Sequence, residues 1–220
     1  INGLIIDPLN HPRIIQKIDE CVDDDIFVVT LNNDVETSKR RCYVGPDYPN
    51  GGRTAAALLR MIHQGPLHAA VLLGSLNMLG HRQRLDGFLE VMREHPDFEF
   101  LGIQETEDDD MIAYEDVRQL LADHPETNAL FVISSGAYGA ARAVLAAKRH
   151  DITVIVFDTI PMTIEMMKKG VIQAAIYQHP HQQGQRSMQI VFDYLVNGIV
   201  PEHEKYIMRN EIRILQNVEE

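Results

Sequence analysis

The side chains of this 220-residue chain best suited to hold a small hydroxylated molecule stand just behind short apolar runs. Behind "IFVVTL" (26–31) come Asn32, Asn33 and Asp34, and behind "HAAVLLG" (68–74) come Ser75 and Asn77, then His81, Arg82 and Arg84. "NALFVI" (128–133) is followed by Ser134 and Ser135, "ITVIVF" (152–157) by Asp158, and "AAIY" (174–177) by Gln178. Hydroxyls, amides, one or two carboxylates and an arginine are the groups with which a site hydrogen-bonds a neutral polyol such as a sugar. No nucleophile is paired with a base, so no catalytic residue and no enzyme activity are expected.

Several of these residues have a competing structural role. Asn32 and Asp34 could close Asx turns after a strand. Asp158 could cap a helix starting near Pro161, and Gln178 could be a loop residue. Arg84 falls three residues before Gly87 in the first turns of a helix, where a cation is disfavoured, and that placement points to function. Arg82 cannot share its face and is expected to be exposed or phosphate-seeking.

Other chemistries find little support. His179 and His181 flank a proline, and no HExxH or Cys/His cluster exists, so no metal site is expected. "GSLNMLG" and "SSGAYGA" match neither a phosphate loop nor a complete dinucleotide fingerprint, and no cofactor is expected. Cys21 and Cys42 read as free thiols. The net charge of −12, with acidic runs such as Glu107–Asp110, repels phosphate backbones. The apolar runs are far shorter than the ~20 residues that a membrane helix needs.

The elements that must position the candidates follow from the same runs. Together with "GLII" (3–6), "RCYVG" (41–45) and "FEFLGI" (98–103), they are continuous rather than alternating, so each is expected to be a strand buried on both faces. Helical patterns fall between them, over 11–22, 50–64, 80–95, 110–123, 137–149, 161–169 and 180–197. Alternating strands and helices imply parallel sheets flanked by helices, with ligands outside the carboxyl ends of the strands. Asp158 and Gln178, closing neighbouring strands, would then offer an acceptor and a bidentate amide to adjacent hydroxyls.

The ordered series "INGLIIDP", "IFVVTLNND", "YVGPDYPNGGRTAAALL", "LLGSLNMLGHRQRLDGF", "VIVFD" and "AAIYQHPHQQGQ" resembles the type I periplasmic-binding-protein fold over essentially the whole chain. Within that fold it looks most like the effector-binding core of LacI/GalR-family regulators, with sugar-binding proteins of ABC transporters as the alternative. The resemblance implies a two-lobed α/β fold, with one lobe of residues 1–46 plus 180–205 and another of 47–179 plus 206–220. Crossings between the lobes would lie near 45–47, 178–180 and 205–206, and a ligand in the cleft would close a hinge. Carried over by position, the family's sugar-contacting Asp falls on Asn32, with Asp34 a substitute, and its binding Arg falls on Arg84, followed by Gly87 and Phe88. The family's Asn-Asp is replaced by Ser134-Ser135, while its Asp and Gln match Asp158 and Gln178; Asn77 completes the expected set. The resemblance further implies a sugar effector, a homodimer in the cytoplasm, and operator DNA bound by a headpiece that the sequence lacks. It also implies two strand-helix units upstream of Ile1.

Overall fold

The computed structural model describes residues 1–218. Its strands are β1 (Gly3–Ile6), β2 (Phe27–Leu31), β3 (Cys42–Pro46), β4 (Leu67–Leu73), β5 (Phe98–Glu105), β6 (Ala129–Val132), β7 (Thr153–Phe157), β8 (Ala174–Tyr177), β9 (Lys205–Met208) and β10 (Glu211–Arg213). Its helices are α1 (Pro12–Asp23), α2 (Tyr48–Ile62), α3 (Leu79–Met92), α4 (Asp110–Asp123), α5 (Ala137–Ala146), α6 (Pro161–Lys168) and α7 (Pro180–Asn197). The chain divides into two compact units. Ile1–Asp47 with Gln178–Asn210 forms the first, and Tyr48–Tyr177 with the chain from Glu211 forms the second.

In the first unit, parallel strands run in the order β1-β2-β3-β9. Successive strand side chains point to opposite faces, and here both faces are apolar because each carries a helix. Val28 meets Ile18 of α1 on one side, while Phe27, Val29, Cys42 and Val44 meet Ile190 of α7 on the other. The Phe27 and Tyr194 rings stack at 4.0 Å between centroids, fixing α7 across β2.

The second unit repeats this plan in a six-stranded sheet of order β10-β8-β7-β6-β4-β5. Ala69, Val71, Leu73, Phe131, Ile155 and Phe157 face α2 and α3, whereas Ala70, Leu72, Leu130, Val132, Val154 and Val156 face α4, α5 and α6. Phe88 of α3 is wholly buried and stacks on Phe131 at 4.9 Å. The sheet is parallel except for β10, which pairs antiparallel with β8.

One expectation needs correction, and two strands had not been expected. β1 and β5 are only half-buried, because each is the edge of its sheet and has one neighbour instead of two. β9 and β10, which the sequence reading did not assign as strands, are short and half-exposed and form through pairing with β3 and β8. β5 also bulges where Ala69 pairs with Phe100 and Ala70 with Gly102, and Gly102 takes φ +125, which a side chain would strain.

Helices α2 and α3 approach closely at two glycines. A Cβ on Gly52 would fall 1.9 Å from the Arg84 carbonyl oxygen, and one on Gly87 would fall 2.1 Å from that of Pro49. This contact sets the height of α3 and hence of Arg84. Gly52→Ala is therefore expected to lose about 1–3 kcal/mol to overpacking. Gly184→Ala, inside α7 with open space around the added carbon, is expected to gain about 0.5–1 kcal/mol. Urea unfolding of the two variants checks both signs.

Candidate functional site

The carboxyl ends of β4, β6 and β7 lie side by side, and Arg84 reaches them from the second turn of α3. The residue is 6% exposed. Its guanidinium stands 3.9 Å over the Phe157 ring and 4.6 Å from the centre of the Tyr48 ring, and Nη1 donates to the Ile133 carbonyl at 2.7 Å. Ile133 precedes Ser134, and Phe157 precedes Asp158. One buried cation thus joins the two tips that carry these candidates, with aromatic faces in place of part of its hydration.

Asp158 adopts the left-handed conformation at φ +59, and its N–H donates to the Ile176 carbonyl at 3.0 Å. The N-cap of α6 is Ile160, so Asp158 turns the chain at the strand tip instead of capping the helix. Ser134 Oγ accepts the Gly74 N–H at 2.7 Å, stapling the β6 tip to the β4 tip. Ser135 is exposed and donates its N–H to Asp108 Oδ1 at 3.1 Å. Asn77 is exposed in the β4–α3 loop, with its N–H on Ser75 Oγ at 3.1 Å, and Arg82 is exposed as expected.

The acidic run after β5 is more than a charged surface. Asp109 caps α4 by accepting from the N–H groups of Met111 and Ile112, and Asp110 accepts from Gly139 at 2.9 Å at the start of α5. Asp108 packs so closely on Gly74 that a Cβ there would fall 2.4 Å from its carboxylate. Asp108 was missed as a strand-tip residue because a run of carboxylates ordinarily marks solvent. The local signal was its place in the turn after β5, three residues past Glu105.

In the first unit, Asn32 also adopts the left-handed conformation, at φ +60, and donates through Nδ2 to Asp7 Oδ2 at 3.1 Å. Asn33 reaches Asp7 Oδ1 at 2.8 Å. Asp34 binds Arg40 through both oxygens and accepts from Thr30 Oγ1 and the Val35 N–H. Its carboxylate fastens its own loop through these partners. Gln178 is buried, and its carbonyl accepts from Gln183 Nε2 at 2.8 Å. Cys21 and Cys42 are free thiols, and burial pushes that of Cys42 up to about 11. Among the described residues no cluster of His, Cys, Asp and Glu could hold a metal, and no helix is long and apolar enough to cross a membrane.

The pattern of the family described as "Periplasmic binding protein domain" matches residues 1–198. The chain belongs to this family. This periplasmic binding protein domain is 25% identical over 196 residues to the ribose import binding protein RbsB of Salmonella typhimurium, covering 89% of the present chain and 66% of that protein. The chain thus spans just under two thirds of that relative's length. Among solved structures, it superimposes on GanP, a glucose-galactose binding protein from Geobacillus stearothermophilus, with a TM-score of 0.92 and 28% identity. That match covers 99% of this chain and 78% of GanP. An ABC transporter solute-binding protein from Burkholderia graminis, solved with D-arabinose, shares the fold at a TM-score of 0.93 and 22% identity, over 99% and 76% of the two chains. The architecture is therefore the type I periplasmic-binding-protein fold: two mostly parallel sheets, each flanked by helices.

Two outcomes test this periplasmic binding protein domain. Arg40→Met strands the Asp34 carboxylate, whose side chain is 12% exposed, and should cost about 3–5 kcal/mol in urea unfolding. Because the folded state holds the Cys42 thiol near 11 against 9.0 unperturbed, its contribution is complete below pH 9 and is lost as pH rises towards 11. Thiol labelling of the native protein at pH 8 should spare Cys42 until the chain unfolds.

Proposed function

We propose that this protein binds a small, uncharged sugar and delivers it to an importer, without consuming it. The observation that carries the reading is the Arg84 guanidinium, buried between Tyr48 and Phe157 where the strand tips bearing Ser134 and Asp158 end. A cation already desolvated and oriented can donate to a ligand hydroxyl without reorganising, while Asp158 supplies an acceptor. Asn32, Asn77, Ser134, Ser135 and Gln178 remain proposed contributors.

The names of the relatives support transport. They are import or solute-binding proteins, matched over nearly the whole of this chain, and the solved ones include a glucose-galactose binder and an arabinose complex. These names favour transport over the regulatory role that the resemblance put first, and they lend no support to its operator DNA or its homodimer. An importer, reached outside the cytoplasm, takes the place of DNA as the proposed partner. The acidic net charge, poorly suited to a phosphate backbone, agrees.

Titration calorimetry and thermal melts with D-ribose, D-arabinose, D-glucose and D-galactose test the reading. A bound sugar at 100 times its Kd should stabilise the protein by about 2.7 kcal/mol. Arg84→Met and Asp158→Asn, chosen to preserve volume, should each weaken binding about 10- to 150-fold, as expected for a lost charge-assisted hydrogen bond. Full stabilisation in both variants, or none by any sugar in the wild type, would overturn the proposal.

A further inference from the structure

A histidine stands beside the strand tips in an arrangement that the candidate set leaves unexplained. His81, half-buried in the first turn of α3, places Nδ1 3.3 Å from the backbone nitrogen of Ser75 and 3.2 Å from the Ser75 carbonyl oxygen. One nitrogen cannot serve both. Without a proton, Nδ1 accepts from the Ser75 N–H; with one, it donates to the Ser75 carbonyl. The two groups lie on opposite sides of one residue, so gaining a proton exchanges one grip on the chain for another.

Ser75 is well placed to pass this on. Its neighbour Gly74 donates to Ser134 Oγ at 2.7 Å and packs on the Asp108 carboxylate, and its own Oγ holds the Asn77 N–H at 3.1 Å. The next residue, Leu76, donates to Glu105 at 2.8 Å. Asn77 and Ser134 thus both depend on where the Ser75 backbone sits, and Arg84 lies one turn along the same helix as His81.

We propose that His81 is a positioning residue for ligand binding, gripping Ser75 through its unprotonated Nδ1 so that the β4–α3 loop presents Asn77 and, through the Gly74 N–H, anchors Ser134 at the β6 tip. This rests on the sugar-binding reading above. The charged groups facing the imidazole are Arg84 from α3, which opposes a second positive charge, and Asp108 from the β5–α4 loop, which favours one; the Ser75 carbonyl also favours it. Burial and then Arg84 outweigh them, holding the histidine below its usual range. The neutral grip therefore prevails at pH 7, and acidification through the lowered value releases it.

The test is sugar affinity by calorimetry at about pH 8 and at a pH below the His81 ring midpoint read by NMR in the same protein, using whichever sugar of the panel binds the wild type, for wild type, His81→Asn and His81→Ala. Asparagine keeps an uncharged acceptor near the place of Nδ1, and alanine removes it. Wild-type affinity should fall about fivefold or more at the lower pH, beyond the change in His81→Asn, whose ratio should lie near one. His81→Ala should bind more weakly than His81→Asn at both values. Matching pH ratios in wild type and His81→Asn, or equal affinities of the two variants, would overturn the inference and leave the sugar reading intact. If no sugar binds the wild type, the sugar reading falls, and the Ser75 amide resonance in the ligand-free protein decides the coupling. A Ser75 midpoint shared with the His81 ring and absent in His81→Asn supports it, and a Ser75 amide indifferent to His81 overturns it.

Discussion

A guanidinium taken out of water at the end of a sheet constrains much of what surrounds it. Burying an arginine is tolerable only when its charge meets polarisable faces and oriented acceptors. Arg84 meets two rings and the Ile133 carbonyl. Tyr48 opens α2, Phe157 ends β7 and Ile133 follows β6, so one side chain takes its environment from three separate elements. Displacing any of them leaves a charge in a poor dielectric. The glycine contact between α2 and α3 belongs to the same requirement, because it allows α3 to lie low enough for the side chain to reach the tips.

Sheets covered on both faces leave few places for polar chemistry. Along β4, β6 and β7, successive residues pack alternately into two apolar clusters. Hydroxyls, amides and carboxylates are therefore confined to the turn after the last covered residue. This confinement made much of the candidate set visible without coordinates: a residue behind a continuous apolar run is at a tip by geometry, whatever its type. The eight runs became strands, and the seven helices appear between them with ends displaced by a few residues at most.

Other features were hidden for identifiable physical reasons. β9 and β10 are short and half-exposed, and their pairing with distant strands is a tertiary fact that local composition cannot carry. The pairing of Asp34 with Arg40, six residues on, was also hidden, because a loop that folds back on itself has no periodic signature. Asp108 reads as solvated charge until Ser135 and Gly74 close on it. In each case a side chain's partner decided its role, and the partner lay outside the window that a sequence pattern spans.

Asn32 and Asp158 close their strands in the left-handed region of backbone space. Few L-residues tolerate that geometry; glycine, asparagine and aspartate do so most readily, while branched side chains are excluded on steric grounds. The evolutionary freedom of these two tips is consequently narrow. Neighbours in ordinary conformations, such as Asn77 and Ser135, have more room for substitution, so sequence change should concentrate there while the two turns persist.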